Sequence, residues 1–331
     1  MPSTLQSDER VTFHGSAAWP GHDGAWEAEV RGVVYEPEYN RLYAAVLRRA
    51  LGIDEGMLSE SESAVFRERL GLFLRDHERG KALAVEVAGQ SMVLPASGPN
   101  GHFRSVIPVP ADAVDTGRGV LRVRTAAAHE DGRYFEGAVH LVADEDAPCV
   151  VSDIDDTIKV TGVTDRAELK WNTFCRPFRA VEGMVGRYRE WAEGDGARFF
   201  YVTSSPWQLY QPLEAFVDAE GFPGGSWHMR HIRLKSPSTL AALFRGNHRH
   251  KLEAIRPLFG RWRRRPFLLV GDTGDRDPEI YAELAREFPS RISRVLIRDV
   301  GDGRDAEERC AQAFRGVGGV RWELFRGMPP R

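Results

Sequence analysis

Cysteine and lysine are both scarce in this chain of 331 residues. The three cysteines, Cys149, Cys175 and Cys310, form an odd, scattered set without metal-ligand spacing, which excludes a disulfide framework and fits reduced thiols in a cytoplasm. No apolar run approaches the ~18 residues of a membrane span. The first fifteen residues (MPSTLQSDERVTFHG) contain no apolar signal core, so a cytoplasmic protein without a transmembrane segment is expected. Repeats and low-complexity tracts are absent. The five lysines, at 81, 159, 170, 235 and 251, stand against 40 arginines. A chain that meets its need for surface cations with arginine marks each retained lysine as a candidate for a place that wants a compact ammonium.

Charge is divided unevenly. Residues 1–150 hold 15 Lys+Arg against 23 Asp+Glu, and residues 151–331 hold 30 against 25. A net-positive half carrying an acidic cluster suits an anionic substrate at a metal-bearing site; attraction between the two halves is the alternative. The overall balance is acidic and the aromatics do not interleave with a basic stripe, so nucleic acid is not an expected partner.

The length suggests two domains. Residues 1–146 read as a β-rich, sandwich-like domain, with short runs at 26–35, 83–88, 91–94, 103–109, 120–125 and 134–142 separated by Gly, Pro and Asn. Apolar residues at helical spacing over 40–51 and 61–79 indicate a helical insertion in that domain. His14, His22, His77, His102, His129 and His140 are dispersed along this half and form no catalytic constellation. The polar, Pro-terminated stretch 143–148 reads as a hinge. From 147 to 331, apolar runs at 149–151, 199–202, 267–270 and 294–297 alternate with helical stretches near 179–193, 206–219, 247–259 and 277–287. That alternation predicts an α/β fold with a doubly wound parallel sheet and a ligand at the carboxyl ends of the strands.

The candidate site lies at those ends. The run Cys149-Val150-Val151-Ser152 stops at Asp153, Asp155 and Asp156, three carboxylates within four positions. Carboxylates this close repel unless a cation relieves them, so the cluster predicts a divalent metal. The second run ends in Thr203-Ser204-Ser205-Pro206, which offers hydroxyl and backbone donors to an anion; Thr203 and Ser204 are the phosphate candidates, with a plain N-cap as the alternative. The third element is Lys251, poised against a phosphoryl group or simply exposed on a helix. The fourth element is the end of the run at 267–270, Gly271-Asp272, with Asp275 and Asp277 close behind. Asp272, together with Asp153, the Asp155 carbonyl and Asp277, would hold a hard cation, and Mg²⁺ suits that set better than zinc.

Asp153-x-Asp155-x-Thr157 resembles the first motif of the haloacid dehalogenase-like phosphatases. The order of the later elements excludes a response-regulator receiver, whose lysine comes last. The longer stretches at 153–163, 202–210, 250–251 and 271–281 resemble the catalytic domain of the actin-patch phosphatidate phosphatase family, over roughly residues 147–300. One departure is Ser204, where that family would carry Asn.

The resemblance implies a haloacid dehalogenase-like domain with a minimal cap, Asp153 as nucleophile, Asp155 as general acid/base, and Thr157 and Lys251 among the phosphate contacts. It implies a Mg²⁺-dependent phosphomonoester hydrolase, phosphatidate phosphatase-like, acting through an aspartyl-phosphate. A soluble sugar- or nucleotide-phosphate phosphatase and a non-catalytic adaptor are the alternatives. Only about forty residues separate Thr157 from Phe199, and one helix is expected there, which leaves no room for a large cap. A lipid substrate would make the protein peripheral to a membrane, with the basic run 261–266 on anionic lipid and Trp171, Phe174, Trp207 and Tyr210 at an apolar entrance.

Overall fold

The computed structural model describes residues 1–331 except 22, 38–40, 127–131, 233–247, 302–304 and 331. Contacts divide the chain into two compact units. The first comprises Met1–Ala45, Gly71–Asp144 and Gly225–Trp227, and the second Val46–Leu70, Glu145–Gly224 and His228–Arg331.

The first unit is built on a mostly antiparallel sheet whose described strands are β1 (Arg10–Phe13), β2 (Ser16–Pro20), β3 (Trp26–Glu36), β4 (Asp76–His77), β5 (Ala84–Val87), β6 (Gln90–Val93), β7 (His102–Val109), β8 (Val120–Thr125) and β9 (Glu136–Leu141). The long β3 is the spine and pairs with β1, β2, β4 and β7. Its Gly32 is required by crowding, because a Cβ there would lie 2.3 Å from the Thr12 carbonyl oxygen and 2.6 Å from the Phe103 ring. Alternation in β7 and β8 sends Phe103, Ile107, Leu121 and Val123 into one core with Phe13, Val34 and Val139. Strands β1, β2 and β4 were not anticipated; they are short, and β2 consists largely of small residues of low strand propensity. The histidines are less dispersed than the sequence suggested. His102 lies 5.5 Å from His14 and 6.3 Å from His77, ring to ring, as packed rings of the sheet, while His22 and His129 fall outside the described residues.

Helices α1 (Arg41–Leu51) and α2 (Glu60–Leu72) interrupt this sheet in sequence. The second stops at 72 rather than 79, short of β4. Residues 46–70 cluster with the second unit: Lys170 caps the last carbonyl of α1 at Leu51, 2.9 Å away, and Arg176 lies 3.9 Å from Glu62.

The second unit carries a six-stranded sheet in the order β12-β11-β10-β13-β14-β15. These are β10 (Cys149–Ser152), β11 (Arg198–Pro206), β12 (Gly225–Arg230), β13 (Phe267–Asp272), β14 (Ile292–Arg298) and β15 (Arg321–Phe325), and β11, β10, β13, β14 and β15 run parallel. The described helices are α3 (Arg166–Phe174), α4 (Met184–Gly194), α5 (Tyr210–Glu220), α6 (His248–Arg261), α7 (Asp277–Glu287) and α8 (Ala306–Ala313). Central strands β10 and β13 are buried at every position, as parallel strands covered on both faces are. Two helices, not one, lie between Thr157 and β11. The additional one, α3, is announced by Asp165, whose side chain accepts from the Ala167 and Glu168 amides. Strands β12 and β15 and helix α8 were also not anticipated; β15 is half-exposed and polar, so no apolar run marks it.

The basic run 261–266 is built into this unit. Trp262 and Arg265 are fully buried, and Arg265 donates to the carbonyls of Ala147 (2.9 Å) and Pro148 (3.2 Å) and pairs with Glu145. Phe174, Trp207 and Tyr210 are likewise core residues, with Trp171 half-buried. Among the described residues no helix is long and apolar enough to cross a membrane. Replacing Arg265 by Met leaves the Ala147 carbonyl without this donor, while Pro148 keeps the Arg198 amide, and urea denaturation is expected to show a loss of about 1–3 kcal/mol. An unchanged midpoint would mean that the guanidinium does not hold the 145–148 segment.

Candidate active site

Strand register brings the predicted elements together. Ser152 is level with Tyr201 of β11 on one side and Val270 of β13 on the other. One or two residues further on, at the carboxyl ends, Asp153 is therefore flanked by Thr203 and Asp272. Lys251 enters from the first turn of α6 and Asp277 from the first position of α7. An acid suits that helix start, where free amides give a positive end. Asp277 reaches the site because Gly271 has no side chain; a Cβ there would lie 2.3 Å from the Asp277 carboxylate.

Carboxylate oxygens of Asp153, Asp272 and Asp277 lie within 4.8 Å of one another, and all three residues are buried. The Lys251 ammonium, 1% exposed, sits 2.9 Å from Asp153 and 2.5 Å from Asp277, with Asp275 at 3.6 Å. Three buried acids thus share one fully enclosed cation. Burial, followed by Asp277, pushes the Asp272 carboxyl up to about 8 against the opposing pull of Lys251. Burial also raises Asp153 well above the carboxylate range and raises Asp277, again against Lys251. Burial alone would lower Lys251, but Asp153, Asp277 and Asp275 raise it well above an ordinary lysine, so it stays charged.

The cluster is therefore short of positive charge. An all-oxygen set of three buried carboxylates fits a hard divalent cation and lacks the His or Cys that zinc favours. Glu9, Glu36 and Glu78 form another acidic group among the described residues, but Lys81 already pairs with Glu9.

Asp155 is separate from this set. Its carboxylate receives Thr203 (3.1 Å), Ser205 (2.9 Å) and Thr161 (2.9 Å) hydroxyls and the Lys159 ammonium at 2.8 Å. Burial would raise it, yet Lys159 and these donors together hold it at about 2. A metal could meet Asp155 through its main chain only, because the carboxylate is committed elsewhere.

Residues 149–299 match the family described as "Phosphatidate phosphatase APP1, catalytic domain". That segment is similar to this catalytic domain. The chain is also 32% identical, over 152 residues, to phosphatidate phosphatase APP1 of Saccharomyces cerevisiae, covering 45% of this chain and 25% of the yeast protein. An uncharacterized protein of Schizosaccharomyces pombe is 32% identical over 163 residues, 48% of this chain and 26% of its own length. The match thus spans about a quarter of each of these relatives.

Within the matched segment, Asp153, Lys251, Asp272 and Asp277 converge. The hydroxyl residues fall differently from the expectation. Strand β11 runs on through Pro206 instead of yielding to a helix there, so period-two alternation sends Thr203 and Ser205 to Asp155 and turns Ser204 away from it. Thr157 donates to Asp272 at 3.2 Å, holding a candidate ligand carboxylate.

Three residues were missed as site residues. Ser205 follows Thr203 at strand spacing. Lys159, 2% exposed, was marked by lysine scarcity alone. Asp156 takes a positive φ of 55° and accepts from the amides of Thr161, Gly162 and Val163 at 2.7, 2.9 and 2.6 Å. It therefore closes the loop after β10 and does not join the metal set.

Because Asp272 is raised, the folded state without metal holds a proton that the unfolded chain releases near pH 4. Its stability accordingly falls as pH rises from about 4 through about 8, by at most about 1.4 kcal/mol per pH unit per proton. Thermal unfolding with chelator should fall over that range, and added Mg²⁺ should open a gap that widens with pH. Parallel curves would rule out a cation in this cluster.

Proposed function

We propose that the protein is a magnesium-dependent phosphomonoester hydrolase of phosphatidate phosphatase type. The observation that carries this is the convergence of Asp153, Lys251, Asp272 and Asp277 at one rim of a parallel sheet, beside an Asp155 held by four donors. In this reading the second unit is a doubly wound, haloacid dehalogenase-like domain without a large cap, and the first is a sandwich-like domain. The protein whose name suggests the substrate is much longer than the matched segment, so phosphatidate is part of the proposal.

Asp153, Asp272, Asp277 and the Asp155 carbonyl would hold Mg²⁺, which supplies positive charge against the phosphoryl oxygens when bound. A carboxylate oxygen of Asp153 attacks phosphorus in line. The bond from phosphorus to the ester oxygen breaks, leaving an aspartyl-phosphate. Asp155, ionised at rest, takes up a proton from solvent as the phosphate binds and gives it to the departing alkoxide. It then takes a proton from the water that attacks the phosphoenzyme, which releases phosphate and restores Asp153. In the resting site Lys159 keeps Asp155 ionised; the negative charge of an arriving phosphate opposes Lys159 and raises Asp155, the direction a general acid needs. Lys251 neutralises charge on the transferring group and holds Asp153 in place.

One observation favours the soluble-substrate alternative. The basic run offered for lipid contact is interrupted: Trp262 and Arg265 are buried, which leaves Arg263 and Arg264 exposed and Arg261 half-buried, so it offers a membrane fewer cations than the sequence suggests. Phosphatidate in mixed micelles and a panel of soluble phosphate esters, assayed with Mg²⁺, separate the two readings. Turnover of neither revives the adaptor alternative. Asp153→Asn should fold as the wild type does and lose ~10⁴-fold or more in kcat; Asp155→Asn should lose ~10²–10⁴-fold. Wild-type hydrolysis by Asp153→Asn would refute the nucleophile assignment.

A further inference from the structure

Lys159 is buried beside Asp155, and the ring of Phe178 lies against it, with the ammonium 4.8 Å from the ring centroid. Arg69, from α2 of the inserted helices, also lies over that ring, with its guanidinium carbon 3.7 Å from the centroid. Arg69 is itself 5% exposed and donates to the carbonyls of Thr173 (2.7 Å) and Asn172 (3.2 Å) at the end of α3. The Asn172 side chain in turn donates to the Thr161 carbonyl at 2.9 Å, and the Thr161 hydroxyl reaches Asp155. Two cations on one aromatic ring are held there by the ring's electron-rich faces, and each is further fixed by hydrogen bonds at its far end. This continuous chain of contacts begins about eighty residues before the matched segment and ends on Asp155.

We propose that residues 46–70 complete the active site from outside the matched segment, with Arg69 acting through the Phe178 ring to hold the Lys159 ammonium on Asp155. Lys159 is thus a positioning residue for the general acid, and Arg69 positions Lys159. The inference rests on the reading of Asp155 as the acid.

The test compares two esters of nearly equal shape with Mg²⁺ present. Phenyl phosphate releases a phenolate that needs a proton, with a Tyr-like pKa of ~10; p-nitrophenyl phosphate releases a stable anion that does not. Lys159→Met should lose ~10²-fold in kcat/KM on phenyl phosphate and much less on p-nitrophenyl phosphate. Arg69→Ala should show the same selective loss, smaller in size, and Arg69→Lys should recover part of it. Arg67→Ala, on the exposed side of the same helix, should match the wild type. Equal losses on both esters would mean general structural damage and overturn the proposal, as would an Arg69→Ala protein with wild-type rates.

A double-mutant cycle on thermal unfolding supplies a readout free of turnover. Arg69→Ala and Lys159→Met together should cost less than the sum of the two, since either one breaks the same stack; strict additivity overturns the coupling. A wild-type protein that hydrolyses neither of these esters nor phosphatidate refutes the phosphatase reading and the catalytic part of this proposal with it, while the cycle still decides whether the insertion is coupled to Lys159.

Discussion

The Lys251 ammonium, enclosed between Asp153 and Asp277, is the contact on which the second unit depends. Two acids and a cation taken out of water are expensive to assemble, and a third acid, Asp272, stands beside them with no full share of that cation. Such a group persists only if the surrounding scaffold fixes it. Here the fixing is done by strands whose registers end together, by Gly271, which admits Asp277, and by α6 and α7, which deliver Lys251 and Asp277 from their first turns. The charge imbalance left over makes the cluster receptive to a hard divalent ion.

Asp155 shows the opposite solution. Four donors over-satisfy one carboxylate, so it stays ionised although buried. Two residues apart in the chain, Asp153 and Asp155 thus occupy environments that drive their protons in opposite directions. In the site without a cation these directions are the reverse of the proposed roles of attack for Asp153 and proton donation for Asp155; positive charge at the cluster would lower Asp153, and an arriving phosphate would raise Asp155. The loop that follows them is closed by Asp156, whose side chain gathers three amides and whose backbone takes a left-handed conformation that few residues other than glycine, asparagine and aspartate tolerate.

The central strands were legible because Cys149-Val150-Val151-Ser152 and Phe267-Leu268-Leu269-Val270 are uninterrupted apolar runs ending in acids, a pattern that half-exposed strands and amphipathic helices seldom produce. Asp272 and Lys251 followed from position and from residue scarcity. Edge strands β12 and β15 were not legible because neither is an uninterrupted apolar run: β12 is largely buried but reads Gly-Ser-Trp-His-Met-Arg, and β15 sets Arg and Glu among its apolar residues. Nor could spacing reveal which hydroxyl meets Asp155: Thr203, Ser204 and Ser205 differ only in the face on which each falls, and that depended on how far β11 runs. The amphipathic pattern of residues 40–79 announced buried helix faces. It carried no information about which sheet they belong to, because a hydrophobic stripe does not name its partner.

The allegiance of residues 46–70 bears on how this molecule can be taken apart. Linear order places them among the strands of the first unit, yet their contacts are with α3 and the loop after it. An excised catalytic half beginning at the hinge would bare the Phe178 ring and part the end of α1 from its Lys170 cap, so the two halves are not interchangeable cassettes. Recombination that swapped the N-terminal β unit for another would have to carry this helical strap with it, which ties the history of the two halves together more closely than their separate sheets suggest.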